Sequence, residues 1–193
     1  MIFEKHYYVK SETSNYEDYR EKKFHELASD LYPFVADGEV LDFGAATGGL
    51  VHELRSRGVD CVGTDISYWA VNFGRQHYGL SSQELQYHNI QLLEEAKDTV
   101  LFLDVLEHIG SKELEEVVKL LSAKQLIVRI PISKNEGEDF VLDVSKNDKT
   151  HIQIHGRDFW LDLFKKNGYH TFMPFCSKSI YDSEGVLAGI LKN

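Results

Sequence analysis

The chain has 193 residues, 42% of them hydrophobic and 27% charged, with three prolines; this composition excludes a disordered, collagenous or low-complexity protein. At that length one domain buries roughly 70% of its unfolded surface without a disulfide or metal staple. Twenty-one basic against 31 acidic residues give a formal charge of −10, a field that repels a bare nucleic-acid backbone, so nucleic acid is disfavoured as a partner.

Two cysteines, Cys61 and Cys176, make neither a disulfide framework nor a metal site and read as buried thiols in a reducing compartment. The charge-broken N-terminus and the absence of any apolar run near ~18 residues argue against a signal peptide or membrane span, and so for a cytoplasmic protein.

Tyr16–Tyr32 reads as an amphipathic helix, with Tyr19, Phe24, Leu27 and Leu31 near helical spacing. Glu39–Phe43 reads as a buried strand, followed by a glycine-rich turn and a helix over Gly49–Arg57. Val59–Thr64 is a second strand, and a helix through Ser67–Tyr78 follows with Ser67 as N-cap. Leu85–His88 and Thr99–Asp104 are the third and fourth strands. A helix over Ser111–Leu121 leads to the fifth strand, Gln125–Ile130, which ends at Pro131. After a helix over Gly156–Asn167, Tyr169–Phe175 and Val186–Leu191 read as strands separated by a short turn at Asp182–Gly185, which permits only antiparallel pairing.

The predicted fold is therefore α/β: a Rossmann-like doubly wound sheet of five parallel strands plus a C-terminal antiparallel hairpin, seven strands in all, with helices on both faces. One domain spans 1–193. It divides into an N-terminal helical cap (1–36), a ligand-binding core (37–130), a substrate-side loop (131–155) and the closing helix and hairpin (156–193).

In such a sheet, ligands bind outside the carboxyl ends of the strands where the strand order reverses. The first strand ends in Asp42-Phe43-Gly44-Ala45-Ala46-Thr47-Gly48-Gly49, whose small residues let a ligand approach the backbone at a helix N-terminus. Strand two ends in Asp65, about 20 residues after Gly44, where a carboxylate accepts hydrogen bonds from a ribose diol. A dehydrogenase is expected to fit poorly, because Ala46 replaces the middle glycine that admits a pyrophosphate and 193 residues leave no room for the second domain that would carry its substrate.

These residues resemble the class I S-adenosylmethionine-dependent methyltransferases, from about Val40 to the C-terminus. The family's acid-x-Gly-x-Gly-x-Gly motif corresponds to Asp42 through Gly48, with Ala46 in place of the middle glycine. The resemblance implies that Asp42, Gly44, Ala45 and Ala46 hold the methionine end and Asp65 the ribose. It places Ile66 and Asn89 against the adenine, with Ile90, Asp104 and Val105 at neighbouring strand ends. The run Asp104-Val105-Leu106-Glu107-His108-Ile109 is similar to the segment after strand four in small-molecule methyltransferases of the ubiquinone-biosynthesis type. The implied cofactor is S-adenosylmethionine, with S-adenosylhomocysteine as product, and the implied reaction is methyl transfer to a small-molecule acceptor, at oxygen.

A hydroxyl acceptor needs a base, and His108 after strand four and His151 after strand five are the candidates; His155 is a third. His151 and His155 alternate with Ile152 and Ile154 in a β-like pattern whose polar face is expected to meet solvent. The reading assigns no metal, and expects a monomer or homodimer.

An alternative rests on Asp104-x-x-Glu107-His108 plus His151, which resembles the metal-holding set of small-RNA 3′-end 2′-O-methyltransferases. Another is a non-catalytic subunit that keeps the cofactor fold as an interaction platform. The acidic segment from Ser133 to His155 and the N-terminal helix, a lid over the cofactor, are expected to select the acceptor.

Overall fold

A computed structural model describes residues 3–8 and 21–193 of the chain. Seven strands form one sheet in the order β3-β2-β1-β4-β5-β7-β6. They are β1 (Glu39–Phe43), β2 (Asp60–Asp65), β3 (Leu85–Tyr87), β4 (Lys97–Leu103), β5 (Ala123–Pro131), β6 (Thr171–Pro174) and β7 (Val186–Lys192). β1 to β5 pair in parallel, whereas β7 runs antiparallel to both β5 and β6.

The sheet lies between two apolar layers. On one face α2 (Glu21–Val35), α3 (Gly49–Ser56) and α4 (Tyr68–Tyr78) contribute Phe24, Leu27, Leu31, Leu50, Leu54 and Val71. On the other, α5 (Ser111–Leu120) and α7 (Arg157–Lys166) contribute Leu114, Val117, Val118, Trp160 and Phe164. Two short helices, α1 (Lys5–Tyr8) and α6 (Asp143–Asn147), sit at the strands' carboxyl ends.

The predicted elements recur within a few residues. Ser67 caps α4, its hydroxyl accepting the Ala70 N–H at 3.1 Å. Helix α2 continues past Tyr32 and through Pro33 to Val35, because the apolar spacing continues to a buried Val35 and the Ala36 N–H still bonds the Tyr32 carbonyl at 3.0 Å. The expected start of that helix, with Tyr16 and Tyr19, lies outside the described residues.

Three expectations need correction. The β6–β7 connection is not a short turn but residues 175–185, which fold back through the bridges Cys176↔Tyr181 and Ser183↔Val186 and dock on α2 through Ser179 N–H and Asp30 at 2.9 Å. Antiparallel pairing survives because the apolar strands, rather than the turn, set the register. Cys61 is buried as expected, but Cys176 is exposed in that connection. The segment 151–155 is no strand, and its polarity is inverted. Ile152 and Ile154 face outward while His151 and Gln153 turn in, since backbone bonds described below hold the polar residues against β4's end.

Candidate active site

The strand order reverses between β1 and β4, and the residues at those carboxyl ends enclose a cavity of about 550 Å³. The glycine turn forms its floor. Gly44 and Ala45 both donate their N–H groups to the Thr64 carbonyl, at 2.9 and 3.0 Å, which locks the turn to β2. Gly44 has φ +84°, and a Cβ there would collide with Val105, so only glycine fits. Ala46 takes the left-handed conformation too, at φ 49°. This places its N–H 2.8 Å from Asp65 Oδ2.

Asp65 is nearly buried. Its second oxygen accepts the Ser67 N–H at 2.7 Å, and the carboxylate also takes the Tyr8 hydroxyl. Tyr8 itself is buried, its ring stacked 5.5 Å from that of Trp69. Asp65 thus already accepts from two N–H groups and one hydroxyl, the donor chemistry that a ribose diol presents.

Asp42, at the end of β1, is buried beside Asp65. Desolvation, and then the Asp65 charge, push its carboxyl up to about 7. A folded pKa above the unfolded value of 3.8 stabilises the protein fully below about pH 4, and that contribution is lost as pH rises towards 7. Denaturant titration of wild type and Asp42→Asn between these limits should therefore show the wild type losing roughly 3–4 kcal/mol relative to the variant. Parallel profiles would mean that the carboxyl titrates normally.

On the β4 side, Asp104 adopts φ 56° and its carboxylate is gripped by Arg129 of β5, with Nε at 3.0 and 2.9 Å from the two oxygens. Arg129 reaches it because β4 and β5 pair Leu103 opposite Arg129. The chain then makes a short 3-10 turn, Leu106–His108, that buries Glu107 completely and turns His108 into the cavity.

The distant loop closes on this turn. The Glu107 carbonyl accepts the N–H groups of both Ile152 and Gln153, at 2.8 and 3.0 Å, and Gln153 Nε2 bonds the Ile109 carbonyl at 2.7 Å. These bonds carry His151 to the site: His151 Nε2 and His108 Nε2 each lie 3.9 Å from Glu107 Oε1. The two imidazole centres are 4.6 Å apart.

Among the described residues, neither buried oxygen of the Glu107 carboxylate has a hydrogen-bond partner, nor has the buried His151 Nδ1. Burial, reinforced by Asp104, holds the Glu107 carboxyl well above the usual range. Burial and the neighbouring His151 push His108 down to about 4, and burial lowers His151 as well. At neutral pH the two imidazoles are therefore uncharged and offer lone pairs. One donor atom from each of Glu107, His108 and His151 lies within 4.8 Å of the others, a spacing suited to a divalent cation.

Of the predicted positions, Asp42, Gly44, Ala45, Asp104, His108 and His151 line one cavity. Asp65, Ile66, Asn89 and Ile90 are not on its wall but at the ends of β2 and β3. There Ile66 is half exposed and Asn89 Nδ2 donates to Gln86 Oε1 at 2.7 Å. His155 is spoken for: Glu136 and Gln153 engage its two nitrogens at 2.6 and 3.1 Å, and Phe159 stacks on its ring.

Sequence reasoning passed over Tyr7, Tyr8, Arg129, Asp148 and Thr150. For Asp148-x-Thr150 the Asx-turn spacing was available as a signal; for Arg129 the strand register was needed.

This arrangement, a glycine turn facing a buried β2 acid across a reversal in a seven-stranded sheet with an antiparallel β7, matches a known domain. A family model described as a methyltransferase domain matches residues 16–171.

The chain belongs to the methyltransferase-domain family.

Among curated family relatives, a ubiquinone biosynthesis O-methyltransferase from Acinetobacter baumannii is 26% identical over 149 residues, covering 72% of this chain and 59% of its own. One from Dechloromonas aromatica is 25% identical over 152 residues, covering 75% and 61%. The chain thus spans about three fifths of the length of the curated relatives it matches.

Solved structures agree on the methyltransferase fold. A SAM-dependent methyltransferase from Archaeoglobus fulgidus superposes with a TM-score of 0.66 at 15% identity, over 92% of this chain and 100% of that one. The magnesium protoporphyrin IX methyltransferase of Synechocystis, solved with bound SAH, gives 0.60 at 21% identity, over 89% and 81%. No helix among the described residues is long and apolar enough to cross a membrane.

Proposed function

We propose that this chain binds S-adenosylmethionine and transfers its methyl group to an oxygen of a small-molecule acceptor. The observation that carries this reading is the meeting of the Gly44–Ala46 turn, tied to Asp65 at the end of the neighbouring β2, with a cavity at the strand-order reversal that reaches His108 and His151. When bound, S-adenosylmethionine supplies an electrophilic methyl on a sulfonium, so the protein's task is orientation, exclusion of water and removal of one proton.

In this reading Asp65 holds the ribose diol, and Ile66, Asn89 and Ile90 frame the adenine. The backbone of Gly44, Ala45 and Ala46, with Asp42, receives the methionine end. Asp104 and Val105 close the cavity side, the former held by Arg129. His108 or His151, both kept neutral at pH 7 by burial, takes the proton from the acceptor hydroxyl. The curated relatives named as O-methyltransferases support oxygen as the methylated atom. Calorimetric titration of S-adenosylmethionine and S-adenosylhomocysteine into the protein tests the proposal. Micromolar affinity, about 8 kcal/mol, is expected; no binding would sink it.

The orphaned Glu107 carboxylate favours a second reading, in which Glu107, His108 and His151 hold a divalent cation beside the acceptor. An ion there would lower the pKa of an acceptor hydroxyl in place of a base. Two imidazoles with one carboxylate suit Mn²⁺ better than Mg²⁺. Chelator-treated protein should then take up Mn²⁺, and His151→Ala should weaken uptake at least ~10-fold. Absence of heat with either ion leaves the base reading standing alone. The charge of −10 counts against RNA as acceptor, and a salt-sensitive RNA complex would reverse that judgement.

A further inference from the structure

We propose that Asp148 and Thr150 form a positioning relay that fixes which nitrogen of His108 is reactive. The inference rests on His108 being a working group of the proposed methyl transfer, and it holds whether His108 acts as base or ligand.

The relay follows from counting protons. Asp148 Oδ1 accepts both the Thr150 backbone N–H, at 2.8 Å, and the Thr150 hydroxyl, at 2.6 Å. A threonine hydroxyl has one proton, and Asp148 takes it. Towards His108 Nδ1, 2.8 Å away, Thr150 Oγ1 is left as an acceptor only. The proton of the neutral imidazole must therefore sit on Nδ1. The lone pair is then on Nε2, the atom that faces Glu107 Oε1 at 3.9 Å.

The surroundings hold this arrangement. Asp148 Oδ1 is committed to the two Thr150 bonds, while Oδ2 lies 3.7 Å from His151 Nε2. Tyr7, whose hydroxyl is kept protonated by burial and by the Asp148 charge, lies 3.3 Å from Asp148 Oδ2 and donates to it. Phe3 and His151 pack edge-on against the His108 ring, with centres 5.4 and 4.6 Å away, and so limit its rotation.

Without the Thr150 hydroxyl, an N–H at Nδ1 would lose the side-chain acceptor that faces it at 2.8 Å. That loss is large enough to reverse a tautomer balance. The proton would move to Nε2, the reactive position would be blocked, and proton abstraction or ligation through it would stop.

The test reads the tautomer rather than turnover. Chelator-treated protein labelled with ¹⁵N-histidine is examined by long-range ¹H–¹⁵N correlation at pH 7, with His108→Gln to assign the signals. Wild type and Thr150→Ser are expected to carry the His108 proton on Nδ1. Thr150→Val is expected to move it to Nε2 in at least half of the molecules.

A His108 proton on Nε2 in wild type, or a Thr150→Val spectrum indistinguishable from wild type, would overturn the relay. Should Thr150→Val fail to fold, the wild-type and Thr150→Ser spectra still decide. The underlying reading fails separately, if S-adenosylhomocysteine gives no calorimetric heat with wild type.

Discussion

Asp65→Ala is expected to weaken S-adenosylhomocysteine binding by about 100-fold or more. Two hydrogen bonds to an ionised carboxylate contribute about 1.5–3 kcal/mol each. The variant also frees the Ala46 and Ser67 N–H groups from the oxygens that now accept them, at 2.8 and 2.7 Å. The glycine turn would lose its tie to β2's end, with about 1–3 kcal/mol of stability. Asp65→Asn separates the two effects. Its amide oxygen still accepts one backbone N–H, so it should melt closer to wild type while binding remains impaired. Affinity unchanged by either substitution would remove Asp65 from the ribose site.

Glu107→Leu should give the opposite pairing of effects: a more stable protein that transfers no methyl. Both Glu107 oxygens are buried without a partner among the described residues, and an apolar side chain of similar size relieves that desolvation. A gain of about 1–3 kcal/mol is expected, or some ~2–4 °C in melting temperature per kcal/mol for a domain of this size. The pH profile should change as well. Because the folded Glu107 carboxyl ionises well above its ordinary value, wild type loses stability as pH rises from about 4.5 towards that raised pKa, and Glu107→Leu should lack this slope. Melting measurements on chelator-treated protein and methyl-transfer measurements with Mn²⁺ present check the two arms. A variant that melts below wild type would mean that the carboxyl carries a structural bond, and retained activity would remove it from the chemistry.

Much of the sheet was legible because its signals are local. Buried apolar runs such as Val100–Leu103 cannot be anything but interior strands once helical stretches separate them, and Ser67 announces α4 by the side chain it offers to Ala70. The positions of the glycine turn and the β2 acid were legible for the same reason: Gly44 and Asp65 sit at strand ends that the pattern itself locates.

The histidine side of the cavity was not. His151 reaches His108 only because the Glu107 carbonyl bonds Ile152 and Gln153, a contact spanning more than forty residues that no local pattern encodes. The alternation of histidines with Ile152 and Ile154 suggested a solvated polar face, whereas those bonds turn the polar residues inward and leave the isoleucines out. Arg129 was invisible in the same way, since its pairing with Asp104 depends on strand register. Tyr7 and Tyr8 had no periodic partner in sequence; burial against Asp148 and Asp65 gives them their place.

The stacking around Tyr8 also gives the molecule an optical property. The chain has two tryptophans. Trp160 is sealed in the layer beneath α7, away from the cavity. Trp69 stacks with both Tyr8 and Phe73, with ring centres 5.5 and 5.2 Å away and ring planes close to parallel. Any ligand that displaces Tyr8 from Asp65 must unstack one side of Trp69. Its emission would change while that of Trp160 stayed constant. The protein thus carries its own label-free fluorophore, with which occupancy can be followed on the timescale of a stopped-flow mixer.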